Sequence, residues 1–454
     1  MTLCYRLRHS KKWVHMAWSR RQFGGREGGY EEETMATPAD RRLLRILTYL
    51  MFAMFAMTTD SVGVIIPHVI ERYSLGMTAG GAFQYATMGG IALAALGLGF
   101  MADRLGRKAT IIVGLVLFGA SSALFAVGEE FLFFVGLLFV GGLGIGVFKS
   151  GALALIGDIS GSTREHSATM NTVEGFFGVG AILGPAIVAW LLQSGADWKW
   201  LYVVAAALCG GLVLASSLAR YPARPVVPAA TRPPSSLGQT LALARDPHAL
   251  GFGLALMLYV AAEAAVYVWA PTYLAGYEGQ WAWFAVYAVS IFFVLRAAGR
   301  FLGAWLLSRL SWQAVLAICS GGMFVCFAVA VLGDRGAAAL ALPASGLFMS
   351  VLYPTINSKG ISCFDKGRHG QIAGLLLFFT CVSAVLAPLA MGLLGDAFND
   401  PKYSLYLASG CALVLTALAI WNAIADPTRA RLSRRDAEDY VTPEDAAASL
   451  APPA

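Results

Sequence analysis

Twelve long, mostly apolar runs recur along this chain, near 44–70, 79–101, 109–127, 131–157, 168–193, 199–219, 249–274, 281–305, 313–333, 337–361, 371–396 and 403–424. A run of about 20 apolar residues is what an α-helix needs to cross the hydrocarbon core of a bilayer. Charged residues are 13% of the chain, against about 25% in soluble domains. Together these features define an all-α membrane protein with twelve transmembrane helices.

The gaps between runs carry charges, Gly, Pro and Asn, as in ERYSLG, ADRLGRK, SGADWK and FNDPKY. Such loops are short, so successive helices run antiparallel. One interior gap is long: residues 220–248 are rich in Pro, Ala and Arg and separate six spans from six. The expected organisation is a tail (1–42), a six-helix bundle (43–219), a linker (220–248), a second six-helix bundle (249–424) and a disordered tail (425–454). The first 34 residues contain no apolar core of signal-peptide type, and translation is expected to begin at Met35.

Lysine and arginine set the orientation. One set of loops holds Arg104, Arg107, Lys108, Arg164, Arg220, Arg224, Arg232, Arg245, Arg309, Lys366 and Arg368; the other holds Arg72, Lys199, Arg335 and Lys402. The first set is expected to be cytoplasmic, together with both termini, in a multi-pass protein of a bacterial inner membrane. The net charge of +6 thus reflects topology, and no nucleic-acid partner is expected. Six histidines at span ends or in loops and seven cysteines without CxxC spacing offer neither a metal cluster nor a catalytic nucleophile. The chain reads as a non-enzyme, a monomer without a cofactor, whose partners are lipid and a small-molecule substrate.

Between the second and third spans stands Gly99, then Asp103-Arg104, Gly106 and Arg107-Lys108. Gly106 permits a tight reversal, and Asp103 and Arg107 are spaced to pair. This stretch resembles the loop signature of the major facilitator superfamily, GxxxDRxGR(R/K). The resemblance, with its six-plus-six spans, implies two facing bundles that alternate access to a central site, and a cytoplasmic latch at Asp103 that docks on the other half when the protein faces outward. In the fifth span, Gly175, Gly178, Gly180, Gly184 and Pro185 form a surface for close helix approach and a bend. A similar GxxxGP element is found in antiporters of the superfamily.

Five ionisable residues lie well inside spans: Asp60, Lys149, Glu174, Glu263 and Arg296. At 1.5 Å per residue, Asp60 and Glu263 fall within roughly 5 Å of their span midpoints, and the other three roughly 4–10 Å toward the cytoplasm. Intramembrane charges are costly enough to imply partners, water or function. Asp60 and Glu263, one in each half, are the leading proton carriers, with Glu174 a further candidate. Lys149 has two prospective partners, Glu174 at its own depth or Glu263 across the cavity. Tyr259, Glu263 and Tyr267 recur every four residues and share a helix face, a surface on which a sugar ring or other flat solute could stack. Trp269 and Tyr273 also suit an aromatic stripe at the membrane interface.

Three substrate readings remain open. Glu263 with Trp269 and Tyr273, then GRFLGAWLLSR, then LYPTINSKGI resemble fucose permease-like sugar:proton symporters. That resemblance implies a proton role for Asp60 and a sugar contact at Asn357, although the family's fourth-span acid is replaced by Lys149. The stretch GIGVFKSGALALIGD is similar to the fourth span of proton-coupled oligopeptide transporters, which implies substrate recognition by Lys149 with Glu263; the first-span ExxER of those proteins is missing. By charge alone, Lys149 and Arg296 could clamp an anion, or Arg296 could reach lipid headgroups. Proton-coupled uptake of a small polar, sugar-like solute is favoured, with efflux of a drug-like or anionic compound as the alternative.

Overall fold

The structure, a computed structural model, describes residues 37–97, 105–160, 163–222, 243–365 and 368–439. Helix α1 (Pro38–Tyr73) begins with a capping box in which Thr37 and Asp40 satisfy each other's backbone N–H groups, at 3.0 and 3.2 Å, and Pro38 fills the first helical position. It is followed by α2 (Met77–Gly80 and Ala82–Gly97), α3 (Arg107–Ala126), α4 (Phe131–Ile159), α5 (Thr163–Gln193) and α6 (Trp200–Leu218). The second half comprises α7 (Pro247–Leu274), α8 (Ala288–Arg309), α9 (Trp312–Leu332), α10 (Arg335–Ser362), α11 (His369–Phe398) and α12 (Lys402–Ala425), then α13 (Arg429–Asp439). Among the described residues, eleven helices are long and apolar enough to span a bilayer. The remaining span, α2, reaches the end of a described segment at Gly97.

Both halves use one packing plan. In the first, α4 packs on α2 and α3, α6 on α3, and α1 on α5 and α6. In the second, α10 packs on α8 and α9, α12 on α9, and α7 on α11 and α12. Adding six to each helix number converts the first set into the second, as expected of two repeats related by an axis along the membrane normal. Glycines permit the close contacts: a Cβ on Gly142 of α4 would collide with the Thr87 carbonyl of α2, and one on Gly144 would lie 2.7 Å from the Gly114 carbonyl of α3. On the outside, large apolar side chains such as Leu132, Phe301 and Ile424 are more than three-quarters exposed, which suits a lipid solvent.

The halves meet asymmetrically. α2 packs on α11, α5 on α8, and α1 on α7. Among the described residues, no pairing of α4 or α5 with α10 or α11 is as extensive as these. The two halves are therefore joined chiefly near the end remote from the linker.

Disorder across 425–454 does not hold for Arg429–Asp439, which forms α13. Arg431 explains the docking: its two terminal nitrogens donate to both Asp246 oxygens, at 3.1 and 2.9 Å, and its guanidinium lies 4.6 Å from the Phe364 ring centroid. Leu432 packs against the core beside it.

Candidate functional site

Two helices lose their regular backbone in the middle of the protein. In α1 the break falls at Asp60–Ser61, between Pro38–Thr59 and Val62–Tyr73. The Ser61 hydroxyl donates to the Met57 carbonyl at 2.5 Å, and Thr59 donates to the Asp60 carboxylate at 3.0 Å. Gly180 and Gly184 of α5 seat this segment: a Cβ on either would collide with the Ala53 or Met57 carbonyl of α1. In α7, residues Ala265–Trp269 make a wider π-helical turn, directly after Glu263 and just before Pro271, which has no N–H to continue the ladder. Gly63 of α1 sits against the Tyr267 carbonyl of this turn so closely that no side chain fits between them.

The broken segments face each other across the two halves. Glu263 is 9% exposed and forms an ion pair with Arg296 of α8. Tyr259 donates to the same carboxylate at 3.2 Å and packs against Tyr353 of α10, with ring centroids 5.8 Å apart. Asp60 lies within electrostatic range of Arg296, Glu263 and Lys149. Tyr267, also expected at this site, accepts from the Gln84 amide of α2 at 3.4 Å.

Lys149 pairs with neither expected carboxylate among the described residues. Its ammonium lies 5.6 Å from the Phe177 ring centroid of α5, within electrostatic range of Asp60 and of Cys381 on α11. The reason is that Arg296 has taken Glu263, while Glu174 is exposed and faces Arg296 and Tyr353 of the other half. Arg296 is thereby also placed inside the protein, not among headgroups. Asn357 of α10 is half-buried. Glu263, Arg296 and Tyr259 form one bonded group, with Asp60, Tyr267 and Glu174 within electrostatic range of its members and Lys149 within range of Asp60.

Above this group lies a seal at the remote end. Asp396 of α11 accepts from the backbone N–H groups of Met77 and Thr78, at 2.5 and 2.8 Å, and so caps the start of α2 from the opposite half. The Pro388 carbonyl accepts from Trp269 Nε1 at 3.1 Å and from the Tyr85 hydroxyl at 3.2 Å. Ser290 of α8 donates to the Ile182 carbonyl of α5 at 3.0 Å. Trp269 is fully buried in this seal, held against α11 by that bond. Asp396, Tyr85 and Gln84 were absent from the sequence reading; the signals available were a polar residue inside an apolar run and an acid at a span end.

At the linker end, Gly99, Asp103 and Arg104 lie outside the described residues. Gly106 takes a left-handed conformation, φ +86°, ahead of α3. Arg107 Nε donates to Asp158 of α4 at 2.8 Å, and Lys108 donates to the carbonyls of Ser217 and Ala219, at 2.7 and 3.1 Å.

Two repeated six-helix bundles around a polar cleft, sealed at one end by contacts that could be exchanged for others, define a transporter scaffold. The chain belongs to the Major Facilitator Superfamily, whose family model matches residues 48–388. It is 25% identical over 399 residues to the L-fucose-proton symporter of Escherichia coli, covering 80% of this chain and 90% of that protein. It is 24% identical over 363 residues to the glucose/galactose transporter of Brucella abortus, covering 77% of this chain and 87% of that protein. A crystal structure of a nucleoside transporter superimposes with a TM-score of 0.69 at 15% identity, covering 84% of this chain and 99% of that one.

Proposed function

We propose that this transporter takes up a small polyhydroxylated, sugar-like solute together with a proton. The observation that carries the reading is the Glu263–Arg296 pair, held by Tyr259 just before a π-helical turn and within electrostatic range of Asp60 in the other half. A proton arriving at this group changes which charges attract each other, and so changes the balance between the two openings of the cleft. The names of the two relatives, a fucose and a glucose/galactose carrier, support the solute class. In this reading the linker end and both termini are cytoplasmic, the described conformation is inward-facing, and the monomer in a bacterial inner membrane is the working unit. The Asp103 loop would close the linker end in the opposite state.

Efflux by proton exchange is the second reading, favoured by the Gly180–Pro185 element seated on α1. Purified protein in liposomes, given an inward or outward proton gradient and a panel of labelled sugars, separates the two. Uptake against a concentration gradient that follows an inward proton gradient supports import. Accumulation only under the reverse gradient overturns import, and no flux for any sugar in the panel overturns the sugar-like solute class.

A further inference from the structure

The membrane interior holds three carboxylates, Asp60, Glu174 and Glu263, and two cations, Lys149 and Arg296. Arg296 is spent on Glu263. Lys149 is therefore the intramembrane cation that has no carboxylate within salt-bridge distance among the described residues; its one close neighbour of note is the Phe177 ring. Its half-buried side chain lies within electrostatic range of Asp60 and of Cys381 on the facing bundle. An ammonium that faces a carboxylate at more than salt-bridge distance has capacity for an anionic group once that carboxylate is protonated. Groups that suit hydroxyls lie on α10 of the facing bundle: the half-buried amide of Asn357 and the half-buried Tyr353 ring.

We propose that the solute carries a carboxylate that Lys149 binds, so that the substrate class is a sugar acid and not a neutral sugar. The proposal rests on the transport reading above. Its coupling logic is one of charge. With all five groups ionised, the site has a formal charge of −1, and Asp60 is the carboxylate that Lys149 faces. A proton on Asp60 brings the site to zero and leaves Lys149 free to attract an anion; the substrate carboxylate then restores −1. Proton and anion therefore favour each other's binding, and by linkage the effect is reciprocal. One proton with one monoanion moves no net charge, whereas one proton with a neutral sugar moves +1.

The test uses the full chain in liposomes, with gluconate and glucuronate as the acidic probes and glucose and galactose as the neutral ones. Expected is accumulation of an acidic probe under an inward proton gradient, unaltered when a potassium–valinomycin potential of either sign is imposed. Lys149→Gln should weaken that probe by about ten- to a hundredfold with an unchanged melting temperature, and Lys149→Arg should restore most of it. If Lys149→Gln does not fold, competition on the unaltered protein decides alone: acids that fail to displace a transported neutral sugar overturn the proposal. Potential-driven uptake of a neutral sugar that no acid inhibits overturns it while leaving the transport reading standing. Absence of flux for both classes overturns both.

Discussion

The Arg296 guanidinium closes on the Glu263 carboxylate from the next helix, and the Tyr259 hydroxyl donates to that same carboxylate at 3.2 Å. Each group is thus held by a partner on a different part of the second bundle. Relay of a proton through Glu263 to Asp60 would require this carboxylate to release one partner each time. Glu263→Gln keeps the shape and the amide oxygen as acceptor but loses the charge that a proton would neutralise. Proton-driven accumulation should vanish while exchange of labelled for unlabelled solute persists, because exchange does not require the empty carrier to release a proton. Wild-type accumulation by Glu263→Gln would remove this residue from the coupling step.

Arg296→Met leaves a carboxylate buried without its counterion. Breaking a buried pair from one side costs about 3–5 kcal/mol. The double substitution Arg296→Met with Glu263→Leu removes both charges and should recover much of that loss, yet transport should stay absent. Thermal melts of the purified variants read the first effect and uptake reads the second. Equal melting temperatures for single and double variants would contradict the pairing.

These two helices also show what a linear reading could and could not recover. The spans follow from apolar run length, and the two bundles from the Pro- and Arg-rich stretch near 220–248, because both are local properties of the chain. Gly180 and Gly184 were readable as a close-contact face for the same reason. Partner choice was not: run length puts Lys149 and Glu174 at one depth on neighbouring helices, yet it is Glu263 and Arg296 that pair. Which acid a cation meets depends on how each helix is rotated, and that is set by packing across several elements. The break at Asp60 and the π-helical turn after Glu263 likewise depend on tertiary contacts, from Gly184 and Gly63, that reach them from distant sequence.

Those glycine contacts carry a prediction with an internal control. A side chain at Gly184 would meet the Met57 carbonyl and the Ser61 hydroxyl, so Gly184→Val forces α5 away from the turn that presents Asp60. Overpacking of this kind costs about 1–3 kcal/mol. Gly178, two turns earlier, has open space where its Cβ would stand, and Gly178→Ala should be neutral or stabilising by up to about 1 kcal/mol from helix propensity. Similar melting temperatures for the two variants would show that α5 does not position α1 as described.

Asp396 caps α2 from the opposite half, and under the alternating access proposed above this bond would be lost when the remote end opens. Removing a helix N-cap costs about 0.5–2 kcal/mol, and here the whole cost falls on one of the two conformations. Asp396→Ala should therefore shift the population toward the state open at the remote end by about 2- to 30-fold. Spin labels at Glu71→Cys and Ala397→Cys, both exposed at that end, should report a longer distance in the variant. An unchanged distance distribution would mean that the seal does not depend on this cap.

Outside the membrane, Asp246 joins α13 to the start of α7. Partial burial pushes its carboxyl up, but the Arg431 hydrogen bonds, the N–H groups of His248 and Ala249 and the Arg431 charge together outweigh burial and hold it below the ordinary carboxylate value. A carboxylate whose folded value is depressed contributes stability that is present above its unfolded value, about 3.9, and loses it as pH falls through the lower folded value. Docking of α13 should accordingly be intact at neutral pH and weaken below about pH 4. A spin label at Ser433→Cys, which is exposed on α13, should gain mobility in that acid range. Asp246→Asn lacks the titrating charge and weakens the bidentate contact with Arg431, so the label should already be mobile at pH 7, with little further change on acidification. A label that stays immobile at both pH values in the variant would show that Leu432 and the Phe364 ring suffice to hold α13, and that the ion pair is incidental to its docking.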